Sequence, residues 1–324
     1  MNSLGICIPT YKRPAFLRRC VFSAIEAAGG RPLRIFIADD SLDNTNNEIY
    51  EEFKAHSDCI VVQRNTINLG IDDNIQQAVD LCSCDYAWIV GEDDFFLPDS
   101  IRRVFDRIQG SQAPFIFANY SYVGDENKLL LGQALEEPDG SISGRVFIAS
   151  HLWAAGFIGA CIVNRSRWAT TTTAHYKKTY YTHLGRICEM LAHANSSVMI
   201  LAEPCVANRV EGEDAFTWKS DSYGVFFGFC AMCESVARQH PFLADAARQA
   251  INVMERRYGW LSLRLAMRLR SEFGYDVAQY QCYIAPNISN RLVRFAFYCI
   301  SVSPPRVFRP LVLVHRWMRK RKSR

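Results

Sequence analysis

The sequence predicts an α/β protein, a mostly parallel sheet flanked by helices, followed by a helical C-terminal region. Three observations point there. Short apolar runs of strand length alternate with amphipathic segments of helical length over the first hundred residues. Pro, Gly, Asp and Asn punctuate the joints between them. The last third carries apolar residues at helical spacing, with arginines between them.

The elements follow in order. Leu4–Ile8 (LGICI) is a buried strand ending at Pro9. Pro14 opens a helix running to Ala28, with Phe16, Leu17, Cys20, Val21 and Ala24 on one face, and Gly29-Gly30 stops it. Leu33–Ala38 is the second strand, Asp43-Asn44-Thr45 a helix start, and Cys59–Gln63 the third strand. Asp72 or Asp73 caps a helix reaching about Cys82, and Tyr86–Val90 (YAWIV) is the fourth strand. Pro114–Asn119, Phe157–Val163 and Val198–Leu201 read as further strands, with a helix from about Tyr180 to Ala194. Ala244 to Arg270 has helical spacing throughout.

Composition narrows the function classes. The chain has 324 residues, 49% hydrophobic and 22% charged, enough to bury a sizeable core and too apolar for a disordered protein. Net charge is +4, but residues 291–324 hold ten Lys or Arg and no Asp or Glu, leaving 27 basic against 33 acidic residues elsewhere. The positive charge is therefore local. Interleaved with Phe295, Phe297, Tyr298, Val307, Phe308, Leu311, Val312, Leu313 and Trp317, it suits an anionic membrane surface. No groove-binding motif for nucleic acid is present. Twelve cysteines, several inside apolar runs, and an N-terminus without a basic n-region or long apolar run lead us to expect a reducing, cytoplasmic location. Cys230-Ala-Met-Cys233 lacks a second pair, so buried thiols are expected there in place of zinc. No stretch is long and apolar enough to span a bilayer.

In such a sheet, ligands bind at the carboxyl ends of the strands. Strand one ends in Pro9-Thr10-Tyr11-Lys12-Arg13, strand two in Asp39-Asp40-Ser41-Leu42-Asp43, and strand four in Gly91-Glu92-Asp93-Asp94. Two acidic clusters on one edge repel each other unless something offsets the charge; a divalent cation with a phosphorylated substrate would do so. There is no Gly-x-Gly-x-x-Gly after strand one and no GxxxxGK[ST], which excludes the usual dinucleotide turn and the P-loop.

The order and spacing of PTYKR, ADDSLDNT, Asn65 with Asn68-Leu69-Gly70 and Asp73-Asn74, and GEDDFFLPDS resemble the inverting glycosyltransferases of family 2, with the GT-A nucleotide-sugar-binding fold. Within that family, a Gly leading into the acidic pair resembles the abequosyltransferase-like branch that builds bacterial surface polysaccharides. The resemblance implies that Pro9, Thr10 and Tyr11 line the nucleobase pocket, that Asp39 and Asp40 contact base and ribose, and that Arg13, Asn68 and Asn74 lie on the donor side. It implies that Asp93 and Asp94 hold a Mg²⁺ or Mn²⁺ against the donor diphosphate. Many members have Asp-x-Asp-Asp, whereas Gly91 stands at the first Asp position here. Members commonly have Glu-Asp at the start of the helix near residue 182, with the Asp as general base. Here His183 falls near that place, and Asp214, with Glu211 and Glu213, lies in a later polar loop. The expected catalytic residues are therefore His183 and Asp214.

The expected organisation is a GT-A domain over residues 1–220, a helical region over 221–290 and a basic amphipathic tail over 291–324. The expected partners are a nucleoside-diphosphate sugar, a glycan or polyprenyl-diphosphate-linked acceptor and the inner face of the cell membrane. Two other readings stay open: a GT-A-like protein that has lost catalysis, and a nucleotidyltransferase. The second usually needs a basic, Gly-rich loop after strand one, which PTYKRP does not supply.

Overall fold

The computed structural model describes residues 1–124, 129–209, 221–310 and 312. Asp214, with Glu211, Glu213 and Trp218, lies outside the described residues, as does most of the chain beyond 310. By contacts the chain divides into one unit of Met1–Ala215 with Ala231–Ala250, and a second of Phe216–Cys230 with Ile251–Arg324.

The first unit holds a ten-stranded sheet. Its strands are β1 (Leu4–Thr10), β2 (Arg34–Asp39), β3 (Ile60–Arg64), β4 (Tyr86–Ile89), β5 (Phe95–Phe96), β6 (Phe115–Val123), β7 (Leu129–Leu131), β8 (Gly140–Ser143), β9 (Cys161–Asn164) and β10 (Ser197–Arg209). The order along the sheet is β3-β2-β1-β4-β9-β6-β10-β5, with β7 beside β6 and β8 beside β10. β1 to β4 pair in parallel, and β10 is parallel to β6. β9 inserts antiparallel between β4 and β6, which leaves β6 running with β1 to β4. All the long strands thus end on one edge. β1 is central and wholly buried. Its pairing with β4 stops at Cys7, so Pro9, which has no N–H to give, comes after the last β4 pair.

The helices of this unit are α1 (Pro14–Ala27), α2 (Asn47–Phe53), α3 (Gly70–Leu81), α4 (Ser100–Ile108), α5 (Gly144–His151), the single turn α6 (Arg165–Trp168) and α7 (Thr182–Met190). α1 buries Leu17, Cys20, Val21 and Ala24 of the face its spacing predicts, and Ala27 besides, while Phe16 is half-buried. β9 is shorter than expected, because Ala154–Gly156 and Ile158–Ala160 form 3₁₀ turns before it. β10 is longer than expected and carries an irregularity between Leu201 and Val206.

After the sheet come α8 (Ser222–Gln239), α9 (Ala244–Tyr258), α10 (Leu263–Glu272), α11 (Val277–Gln279) and α12 (Arg291–Val302). The helix expected over 244–270 is two helices. Gly259 takes φ +63°, which ends α9, and the Ser262 hydroxyl then caps α10 by accepting from Leu265 N. The second unit has its own core, in which Tyr223, Ala266, Leu269, Tyr275 and Ile284 pack with Phe297, Ile300 and Phe308.

That core corrects the expectation of a tail beginning at residue 291. Asn290 caps α12 by accepting from the N–H groups of Leu292 and Val293, and Phe297 on the same helix is fully buried. Phe297→Ala should therefore cost about 3–5 kcal/mol in denaturant unfolding. Phe295→Ala, two residues away on an exposed face, should stay within about 0.5 kcal/mol.

Candidate functional site

The site forms where the ends of β1, β2 and β4 meet. Asp39 closes β2 and is fully buried. One oxygen accepts from Ser41 N at 2.8 Å and Asn46 Nδ2 at 3.2 Å, and the other from the Tyr50 hydroxyl at 2.7 Å. Burial and this carboxylate together push the Tyr50 hydroxyl pKa upward. Asp40 is also buried. It accepts from Asn65 Nδ2 at 2.8 Å and caps the start of α3 through Leu69 N at 3.0 Å and Gly70 N at 2.9 Å. Both aspartates thus hold the loops that follow β2 and precede α3. Asn74 does similar work: its amide donates to Thr10 O at 3.3 Å and Ala38 O at 3.2 Å, tying β1 to β2. Asn68 is exposed and accepts from Gly70 N at 3.0 Å. Pro9 and Thr10 are buried, while Tyr11 stands exposed above them.

Across the β1 end lies the second acidic cluster. Glu92 is nearly buried; its carboxylate accepts from the Thr10 hydroxyl and from Tyr11 N at 3.0 Å. Burial is the main cause that raises its pKa to about 7. Glu92 therefore joins the β1 turn to the β4 turn, a role the motif reading assigned to no residue. Asp93 is partly exposed and pairs with Arg13, with Nη1 at 3.1 Å. Asp94 is buried, and desolvation, followed by the charge of Asp93, pushes its carboxyl well above the usual range.

Gly91 explains the departure from Asp-x-Asp-Asp. A Cβ there would lie 2.9 Å from Asp94 Oδ2 and 3.0 Å from Asp93 Oδ1. Both carboxylates fold back over the glycine and fill the space a side chain would need. One oxygen of Asp93 and one of Asp94 thus lie within about 3 Å of the place a Gly91 side chain would take. Among the described residues there is no group of three or more His, Cys, Asp or Glu arranged to hold a metal by themselves.

Positive charge lies beside the acids. The guanidinium groups of Arg13, Arg19 and Arg209 sit 5.8, 5.7 and 5.2 Å from the Phe16 ring centroid. Arg19 Nη2 donates to the Asp93 carbonyl at 2.7 Å. Arg19 is a residue sequence reasoning missed, because an arginine inside α1 carries no positional signal of its own. Arg209 gives one only by closing β10.

His183 requires a correction. It lies in the first turn of α7, as expected, but is 1% exposed. Nε2 is 3.4 Å from Ala155 O, and Nδ1 is buried with no hydrogen-bond partner among the described residues. Burial drives its pKa down to about 4. A ring so enclosed is a core histidine, not a base exposed to an acceptor and titrating near neutrality. The carboxylate that does reach the start of α7 is Asp72, from the first turn of α3. It accepts from Tyr180 N and Thr182 N, each at 3.2 Å. Lys178 and Tyr180, at φ +63° and +65°, shape the loop that turns these amides toward it. Elsewhere, Trp168 is buried under the Arg186 guanidinium at 3.9 Å, and His151 pairs with Glu137 at 3.1 Å. None of the twelve cysteines forms a disulfide.

For this sheet and its acidic edge, comparison with known proteins shows a glycosyltransferase of GT-A architecture. Residues 5–162 match glycosyl transferase family 2. Abequosyltransferase RfbV of Salmonella typhimurium is 23% identical over 318 residues, spanning 92% of this chain and 95% of that protein. S. aureus TarS 1–349, solved in complex with UDP, superposes with a TM-score of 0.58 at 11% identity, covering 91% of this chain and 89% of that one. Mannosyltransferase PcManGT from Pyrobaculum calidifontis, solved with GDP-Man and Mn²⁺, superposes with a TM-score of 0.55 at 13% identity, covering 93% and 86%. These findings favour sugar transfer over nucleotidyl transfer.

The buried imidazole predicts a pH effect on stability. The unfolded chain binds this proton near the ordinary histidine pKa of about 6.5, the folded chain only near 4. Between those values the unfolded state holds more protons, so stability falls as pH drops through the window, by at most about 3 kcal/mol. Denaturant midpoints should show this decline in the wild type and a flatter profile in His183→Gln. Equal slopes would mean that the ring is not buried neutral.

Proposed function

We propose that the protein transfers a sugar from a nucleoside-diphosphate sugar to a glycan acceptor with inversion, in bacterial surface polysaccharide synthesis of the O-antigen or capsule kind. The acceptor is carried on a polyprenyl diphosphate, and the enzyme works as a peripheral protein on the cytoplasmic face of the cell membrane. The observation that carries this reading is the pairing of two acidic turns across the end of β1, one organised by Asp39 and Asp40, the other converging over Gly91. The similarity to abequosyltransferase RfbV supports the polysaccharide role, and the nucleotide sugars seen in the solved relatives support the donor class.

The nucleoside binds against Pro9, Thr10 and Tyr11, in a pocket whose walls Asp39, Asp40 and Asn74 hold in place. Asp93 and Asp94 hold a divalent cation, Mg²⁺ or Mn²⁺, which when bound offsets the charge of the donor diphosphate. Arg13, Arg19 and Arg209 add fixed positive charge beside the leaving group, in a setting that needs no reorganisation as the bond breaks. The acceptor hydroxyl attacks the anomeric carbon on the face opposite the diphosphate. The C–O bond to phosphate breaks with its electron pair going to the diphosphate, and the hydroxyl proton leaves on the acceptor side. With His183 enclosed, we assign that proton to the carboxylate of Asp214, with Glu213 as its neighbour in sequence.

The test begins with a thermal-shift screen of UDP-, GDP-, CDP- and dTDP-sugars with Mn²⁺, since a bound donor raises apparent stability. Turnover with the stabilising donor and a membrane extract as acceptor follows. Asp93→Asn and Asp94→Asn should each lower transfer by about a hundredfold or more while the fold is kept, a loss of the size seen when charge stabilisation at a leaving group is removed. Asp214→Asn should bind donor normally and lose transfer, whereas His183→Gln should retain it. Turnover that is indifferent to EDTA and to both carboxamide variants would remove the cation from the account.

A further inference from the structure

Helix α12 is apolar on two sides. One side supplies Phe297 and Ile300 to the core of the second unit. The other supplies Leu292, Phe295 and Val302, which are 81%, 63% and 48% exposed. At 100° per residue these three fall within about 80° of one another, opposite the buried pair. Val307, in the 3₁₀ turn Pro305–Val307 that follows, is 58% exposed. Large aliphatic and aromatic side chains grouped and exposed in this way need a partner.

Charge identifies which partner. Arg291, Arg306 and Arg309 are exposed at the two ends of this apolar stripe. No Asp or Glu occurs anywhere after Asp276. A second copy of the chain docking face to face would set these arginines against their own equivalents, since a two-fold interface pairs a patch with itself. A nucleic acid would satisfy the arginines and leave Leu292, Val302 and Val307 against a polar backbone. A bilayer with anionic headgroups offers phosphate for the guanidinium groups and acyl chains for the apolar stripe at the required depth. No described helix is long and apolar enough to cross a membrane, so such a surface would be met from one side.

We propose that the outward face of α12, continued by Val307, is a membrane-docking surface that inserts Leu292, Phe295, Val302 and Val307 among anionic phospholipids. The arginines at its ends engage the headgroup phosphates. The use of such a surface rests on the reading above, that the acceptor is lipid-linked; the surface itself does not. It places the membrane contact on a folded helix and not on a free basic tail. Deleting residues 291–324 would therefore remove Phe297 and Phe308 from the core and would test folding instead of docking.

The experiment is co-sedimentation of the full chain with phosphatidylglycerol vesicles and with pure phosphatidylcholine vesicles. Wild type should partition onto the anionic vesicles, release as salt rises, and bind the neutral ones weakly. Phe295→Asp and Leu292→Asp should each weaken partitioning by about tenfold or more, since each removes an inserted apolar group and adds a repelled charge. Both positions are exposed, so thermal midpoints should stay at the wild-type value. Transfer to a soluble, lipid-free acceptor should also be unchanged, which separates docking from chemistry. Absence of wild-type binding to the anionic vesicles would overturn the proposal, as would equal binding by the variants. A wild-type dimer that Phe295→Asp dissociates without altering vesicle binding would assign the face to self-association. Vesicle binding without turnover on any donor would leave the docking surface standing and remove the glycosyltransferase reading instead.

Discussion

Five carboxylates crowded at the ends of β2 and β4 are the constraint around which the site is built. Each loses hydration as it is brought to the sheet edge, and each must regain it from a donor or a positive charge. Asp39 and Asp40 regain it from loop amides, a tyrosine hydroxyl and the first turn of α3. Glu92 regains it from Thr10 and Tyr11, the two residues that end β1 and begin its turn. Asp93 has Arg13, and Asp94 has a backbone hydrogen bond from Arg209 and the charge of Arg19, yet burial and then Asp93 still push its carboxyl well above the usual range. The imbalance thus falls on one pair of side chains, over Gly91. A cation and a diphosphate would resolve it there.

The rest of the first unit serves to keep that edge fixed. Because β9 runs antiparallel between β4 and β6, both halves of the sheet end their long strands on the same side. α3 acts as a hub. Its first turn is capped by Asp40, its Asn74 ties β1 to β2, and its Asp72 caps the loop into α7. The acidic edge at the end of β2 and the start of α7 are therefore fixed by one helix, so that a shift of α3 would disturb both. The Arg186 guanidinium, bonded to Gln76 Oε1 at 2.6 Å and laid over Trp168, binds α7 to α3 a second time.

Much of this was legible in the sequence, for a physical reason. Strands that alternate with helices declare their ends through Pro, Gly and Asp, and in a parallel sheet those ends are the site. PTYKR, ADDS and GEDD therefore pointed to the sheet edge at which their residues gather. What the sequence hid was long-range enclosure. His183 lies in a helix start of the expected place, yet its burial depends on Ala155 and the turns preceding β9, almost thirty residues earlier. Gly91 read as a departure from Asp-x-Asp-Asp, and only the folded chain shows that a Cβ there would crowd the Asp93 and Asp94 carboxylates. The basic run after residue 290 read as a tail because its cations are conspicuous. The signals of a packed helix, Asn290 as its cap and Phe297 facing inward, were present but quieter.

The central claim is that the absence of a side chain at Gly91 lets Asp93 and Asp94 converge as the seat for a cation with the donor diphosphate. Titration of Mn²⁺ into wild type and Gly91→Ala in the presence of the nucleoside diphosphate selected by the donor screen tests it directly. The added Cβ would stand 2.9 Å from Asp94 Oδ2 and 3.0 Å from Asp93 Oδ1, so at least the Asp94 carboxylate must move from its place. The account predicts that Gly91→Ala remains folded but binds Mn²⁺ about tenfold or more weakly, the scale seen when groups that orient metal ligands are disturbed. Equal affinity in the two proteins would contradict it, because the cation would then not depend on the space that Gly91 leaves.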